Sequence, residues 1–259
     1  MSRFVPFLAE DVIERDAVAL LDEFELARGV VVEPPVPIED IVEKHLKLGI
    51  EFDDMHERFN LPRSEGEWQS GPDILGAIYF DKRRIVIDQS LDPDERPSLE
   101  GRYRFTLAHE GGGHWRLHHR LFAGASNQDW LFDEPPPPSV ICRSSQGKEP
   151  VEWQADYYAS CVLMPRKLLL AAWRARFGNG NARILRPQHR MEIPADADEA
   201  LAAPILRMQR QLDDEAMENY VRPFAQQFKV SPVAMRIRLE KLGLLHRETP
   251  RQRSLAIGR

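Results

Sequence analysis

The sequence predicts an α+β protein: a small antiparallel sheet packed with one long site-bearing helix, followed by a mainly helical C-terminal part. Two observations carry this. The runs IEFDD, ILGAIYF and RIVID are short and rich in β-branched and aromatic residues, which suit a pleated, half-buried surface. They lie in the first third of the chain, and segments with helical spacing of apolar residues dominate the remaining two thirds. Strands near the N-terminus followed by a long helical remainder suggest an α+β chain.

Taken in order, residues 9–29 place Val12, Ala17, Leu20, Leu21 and Phe24 at near-helical spacing, so this stretch reads as an amphipathic helix. The Pro-rich break EPPVP precedes IEDIVEKHLKL, a short helix ending near Gly49. IEFDD, ILGAIYF and RIVID come next as strands. The last two flank Asp81, Lys82 and Arg83, a hairpin connection. DPDERPSLEG is a turn-rich lead into the helix that carries RYRFTLAHEGGGHWRLHH, residues 102–119. Residues 122–150 are loop-like, and the four prolines at 135–138 read as a rigid spacer, since they fit neither a helix nor a central strand. Helical character returns at PVEWQADYYASCVLMP, with Pro150 suited to a first helical position. Residues 178–204 read as irregular. Two further helices are expected over 204–228 and 231–242, the second closed by Gly243, with RQRSLAIGR as a frayed tail. The expected division is a first domain of residues 1–180, holding the N-terminal helices, the sheet and the site, and a helical region of residues 181–259 packed on it.

Composition narrows the class. Hydrophobic residues at 42% and charged residues at 29% are ordinary globular values. A net charge of −6 argues against a dominant nucleic-acid surface. The two cysteines, Cys142 and Cys161, do not make a disulfide framework and read as thiols in a reducing compartment. MSRFVPFLAEDVIERD lacks the apolar stretch of a signal peptide, and no run approaches the ~20 apolar residues of a membrane span. A cytoplasmic protein without a membrane partner is expected.

The chemistry concentrates in His109-Glu110-Gly111-Gly112-Gly113-His114, one residue longer than the H-E-x-x-H of zinc proteases. A catalytic zinc needs three protein ligands and an open position. His109 and His114 are two candidates. Glu152 supplies a third, because EWQAD opens a helix and carries Asp156 one turn later on the same face. Asp156 can then fix the tautomer of a ligand histidine. Glu110 is placed to take a proton from water and return it to the leaving amine.

Beyond these residues, RYRFTLAHE, GHWRLHH, EWQADYYASCVLMP and FKVSPVAMRIRLEKLGLL together resemble the ImmA/IrrE family of zinc metallopeptidases, from PVPIEDIVEK to LGLL. The resemblance implies a compact α+β peptidase with a zincin-like active-site helix. It implies Zn2+ held by His109, His114 and Glu152, with Glu110 as base. It also implies a substrate class, helix-turn-helix transcriptional repressors cleaved to release prophage, mobile-element, stress or defence genes.

The spacing departs from that family. At about 100° per residue, positions four apart on an α-helix differ by ~40° and positions five apart by ~140°. Three glycines within a helix also cost about 1 kcal/mol each relative to alanine. A wide π-turn, closing i to i+5, or local unwinding at the glycines would bring His114 back to the metal. Failing both, the site is crippled and the protein keeps the fold as a sensing or binding module. His118, four residues after His114, competes as a ligand but reads first, with His119, as a polar helix end. Cys142 is either a small buried residue or an inhibitory zinc ligand closing the open position. Cys161 reads as core. Residues 229–248 carry Arg236, Arg238 and Lys241. They are either a DNA-binding element or the solvated face of a helix packed through Val233, Ile237 and Leu242.

Overall fold

The computed structural model describes residues 5–59, 74–122, 140–143, 149–186, 191 and 198–248. Helix α1 spans Glu10–Arg28 and ends at Gly29, whose φ of 65° is the left-handed conformation that glycine adopts without penalty. Its inward face is Ile13, Ala17, Leu20, Leu21 and Phe24. Val12, expected inside, is 39% exposed, and Ile13 takes its place. Helix α2 (Ile38–Asp40) runs directly into a π-turn at Ile41–His45. Strand β1 (Gly49–Asp53), helix α3 (Met55–Arg58) and strands β2 (Ile74–Tyr79) and β3 (Arg84–Asp88) come after it. Helix α4 (Glu100–Leu107) continues as a π-helical segment over Ala108–His118 and finishes in helix α5 (His119–Phe122).

Next come β4 (Val140–Arg143), α6 (Pro150–Leu163) and α7 (Arg166–Phe177). The chain ends with β5 (Arg183–Leu185), α8 (Glu199–Phe228), α9 (Pro232–Lys241) and β6 (Leu245–Arg247). Pro150 occupies the first turn of α6, where its missing N–H leaves no bond unmade. Strands β4 and β5 fall in stretches that read as irregular in the sequence. The proline run at 135–138 and the tail at 251–259 lie outside the described residues.

The main sheet has the order β1-β3-β2-β4. It is mixed rather than antiparallel. β2 pairs antiparallel with β3 through the expected hairpin, and with β4, but β1 runs parallel to β3. A chain that leaves β1 through α3 and returns by a hairpin can enter β3 along β1's direction, which strand composition does not encode. Both faces of the central β2–β3 pair are covered. Ala77, Tyr79 and Val86 pack with Ile74 and Met55 in one cluster. Gly76 lies against the site-bearing helix, where a Cβ would stand 2.8 Å from Thr106 Cγ2.

The described chain divides into two compact units, one of residues 1–169 with 226–231 and the other of 170–225 with 232–259. The first unit holds the sheet, the π-helical segment and α6. In the second, Trp173 is fully buried and stacks 5.4 Å from Phe224, while β5 and β6 form a parallel pair. On α9 the buried residues are Met235, Arg236, Arg238 and Leu239, whereas Val233 and Ile237 are 44% and 46% exposed. The packed face of this helix is therefore rotated from the one expected. No described helix is long and apolar enough to cross a membrane.

Candidate metal centre

The extra residue in HEGGGH is absorbed by the backbone. From Ala108 to His118 the helix is π-helical, and its last turn closes with the His119 N–H donating to the His114 carbonyl, five residues back. An i to i+5 ladder turns less per residue than an α-helix, so positions five apart stack on one face. His109 Nε2 and His114 Nε2 accordingly stand 2.9 Å apart, with ring centroids at 4.6 Å.

The glycines explain how so wide a helix packs. A Cβ on Gly111 would lie 2.7 Å from Val42 Cγ2, and one on Gly112 would lie 3.1 Å from the Tyr158 ring. A Cβ on Gly113 would fall 2.6 Å from Ala155 Cα, so α6 rests on the bare backbone of the segment there. Ala155 lies between Gln154 and Asp156. The close approach thus delivers Glu152, Gln154 and Asp156 to the histidines. An ion-pair cluster ties α1 to the same segment: Arg116 pairs with Asp16 and Glu23, each at 3.0 Å, and the Tyr158 hydroxyl donates to Asp16 at 2.9 Å.

Glu152 bridges the two imidazoles, with Oε2 3.2 Å from His109 Nε2 and Oε1 3.5 Å from His114 Nε2. Asp156 Oδ1 is 2.9 Å from His109 Nδ1 and accepts its proton. His109 and His114 are 1% and 0% exposed. Burial, reinforced by the neighbouring His109 and His118 rings, holds the His114 pKa well below the usual imidazole value, so the ring is neutral and free to ligate.

Glu110 is fully buried beside them, and neither of its carboxyl oxygens has a hydrogen-bond partner. Burial pushes its pKa up to about 8; His109 opposes the shift, and Glu152 and Asp156 add to it. An unsatisfied buried carboxyl is expensive. A cation or polar group bound beside it would remove that cost.

His109, Glu110 and His114 form a buried group that could hold a metal ion, with ligand atoms all within 4.8 Å of one another. Glu152 extends the donor set. Zinc ligands at about 2.0–2.1 Å in tetrahedral array stand ~3.3 Å from one another. The separations of 2.9, 3.2 and 3.5 Å among His109, His114 and Glu152 bracket that edge.

His118 is not a polar helix end. It is fully buried, its Nδ1 lies 3.0 Å from His114 Nδ1, and its Nε2 lies 2.9 Å from Gln154 Oε1. Its spacing of four from His114 is the visible signal, but α-helical periodicity sends it to the surface. Gln154 carries no signal of its own beyond its place between Glu152 and Asp156. Cys142 lies in β4, opposite Gly76 in register, rather than in a loop; its side chain lies outside the described residues. Cys161 is 2% exposed, a core thiol as expected.

Comparison with known proteins leaves the site to speak for the chain: no protein-family model matches it, and no curated protein matches its sequence.

Proposed function

We propose that the protein is a zinc-dependent endopeptidase in which His109, His114 and Glu152 hold Zn2+ and Glu110 is the general base. The observation that carries this reading is the convergence of two neutral-capable imidazoles and a bridging carboxylate beside a second, buried and unpaired carboxyl. When bound, zinc supplies Lewis acidity, polarising a peptide carbonyl and acidifying water. Glu110 takes a proton from the attacking water on one carboxyl oxygen and passes it to the leaving amine nitrogen. Its burial excludes bulk water and so keeps that proton within the site. Asp156 accepts the His109 Nδ1 proton, fixing that ring with Nε2 unprotonated toward the other ligands.

The substrate class comes from the motif resemblance: a helix-turn-helix repressor, cleaved to relieve repression in a cytoplasmic setting. A DNA-binding role for residues 229–248 is supported less well. Arg236 and Arg238 are 9% and 1% exposed, and Arg236 is engaged by Glu218 at 3.2 Å and Glu240 at 3.0 Å. Such arginines offer little to a phosphate backbone. The test is to incubate the zinc-loaded protein with helix-turn-helix repressors of its own genome and to locate cleaved bonds by mass spectrometry. At least one repressor is expected to be cut at a defined bond, and a chelator is expected to stop the cut. Zinc-loaded protein that binds a repressor without cutting it would replace this reading with a silent, peptidase-like binding module.

A further inference from the structure

His118 and Gln154 lie behind the candidate ligands, fully buried, and a ligand set of His109, His114 and Glu152 uses neither. Their hydrogen bonds can be oriented from the far end. Gln154 Nε2 lies 2.8 Å from the Pro6 carbonyl, which can only accept, so the amide nitrogen must point there and Oε1 must face His118. Oε1 in turn can only accept, so His118 Nε2, 2.9 Å away, carries the proton. A neutral His118 with its proton on Nε2 has a bare Nδ1. That atom accepts from His114 Nδ1 across 3.0 Å. His114, neutral and protonated on Nδ1, then presents an unprotonated Nε2 to His109 Nε2 and Glu152.

The reverse order fails. A proton on His118 Nδ1 would leave a bare Nε2 against the Gln154 oxygen, two acceptors in contact without water to separate them. On the other side, Asp156 imposes the same Nδ1–H form on His109. The bare His114 Nε2 therefore faces His109 Nε2 across 2.9 Å beside a carboxylate, a contact made favourable by a shared metal ion or, without metal, by a proton on His109 Nε2.

We infer that His118 and Gln154 are positioning residues, forming with the Pro6 carbonyl a directional hydrogen-bond chain that locks His114 in the tautomer whose Nε2 lone pair faces the metal position. The inference rests on the metal reading for its purpose, but the orientation of the chain is measurable without metal. Imidazole nitrogen NMR of the zinc-free protein should find His114 protonated on Nδ1 alone and His118 on Nε2 alone. Finding the proton on His114 Nε2 would overturn the proposal.

Two variants then test its consequence for zinc affinity, measured by competition with a chromophoric chelator. In His118→Asn, the side-chain oxygen stands near the place of the lost Nδ1 and can still accept from His114. His118→Phe keeps the ring's bulk and has no acceptor. The phenylalanine variant should bind zinc about 10–100-fold more weakly than wild type, with the asparagine variant recovering most of the loss. A role in packing alone predicts the opposite order, phenylalanine outperforming asparagine, and that order would refute the chain. If His118→Phe fails to fold, judged by its melting curve, the wild-type tautomers still decide. Wild-type protein with the stated tautomers but no zinc affinity would uphold the chain and remove the metal reading.

Discussion

Replacing Glu110 by glutamine is expected to lower the rate of repressor cleavage by about 10²–10⁴-fold while leaving zinc bound. The side chains are nearly isosteric, so the buried space beside the histidines stays filled. What changes is proton capacity: an amide cannot take a proton from water or return one to the leaving amine. Glu110 is well placed for that exchange because burial already raises its pKa to about 8, close to the working pH of a general base. A divalent cation at the neighbouring nitrogens draws the carboxyl back toward its ionised form, the form that accepts the proton. The check is a cleavage time course alongside zinc content for both proteins. Glu110→Gln protein that cuts at the wild-type rate would end the assignment. Loss of zinc together with activity would make Glu110 a ligand instead of the base.

The second large effect is expected at Gly113. On helix propensity alone, Gly113→Ala should stabilise the chain by about 1 kcal/mol. The packing predicts the opposite sign. The new Cβ would meet Ala155 Cα at 2.6 Å, its Cβ at 2.8 Å and its carbonyl oxygen at 2.9 Å, all parts of α6 that cannot rotate away. Overpacking of this kind costs about 1–3 kcal/mol and sometimes more. The displacement also falls on the helix that carries Glu152, Gln154 and Asp156, so zinc affinity should drop by at least about tenfold. Gly112→Ala is a control. Its Cβ would meet only the Tyr158 ring, at 3.1–3.2 Å, so the strain is smaller and the propensity gain offsets much of it. Thermal melting and chelator competition on both variants check the pair. A Gly113→Ala protein that melts higher than wild type with zinc affinity intact would mean that α6 does not depend on the bare glycine.

Much of this arrangement is legible in the sequence. Three strands, the hairpin at Asp81–Arg83 and the helix boundaries at Gly29, Pro150 and Gly243 each have a local chemical cause, and each appears where that cause puts it. His109, His114, Glu152 and Asp156 are also visible as residue types at suggestive spacing, and the fold brings all four together. The features that sequence does not reveal depend on tertiary context. The parallel β1–β3 pair is set by how the chain returns, and β4 is a four-residue strand whose pairing with β2 defines it. An α-helical wheel misplaces His118 because the stretch is π-helical, which rotates every residue after the glycines. The inward face of α9 is misjudged because its buried positions include two arginines, a residue type normally assigned to solvent.

X-ray absorption at the zinc edge, on protein loaded with one equivalent of zinc, tests most directly whether a π-helix makes HEGGGH a metal site. One tightly held zinc is expected, with two imidazole nitrogens and carboxylate oxygen at about 2.0–2.1 Å, and with one imidazole lost in His114→Ala. Zinc that binds with a single imidazole, or with a coordination shell unchanged in His114→Ala, would contradict that expectation.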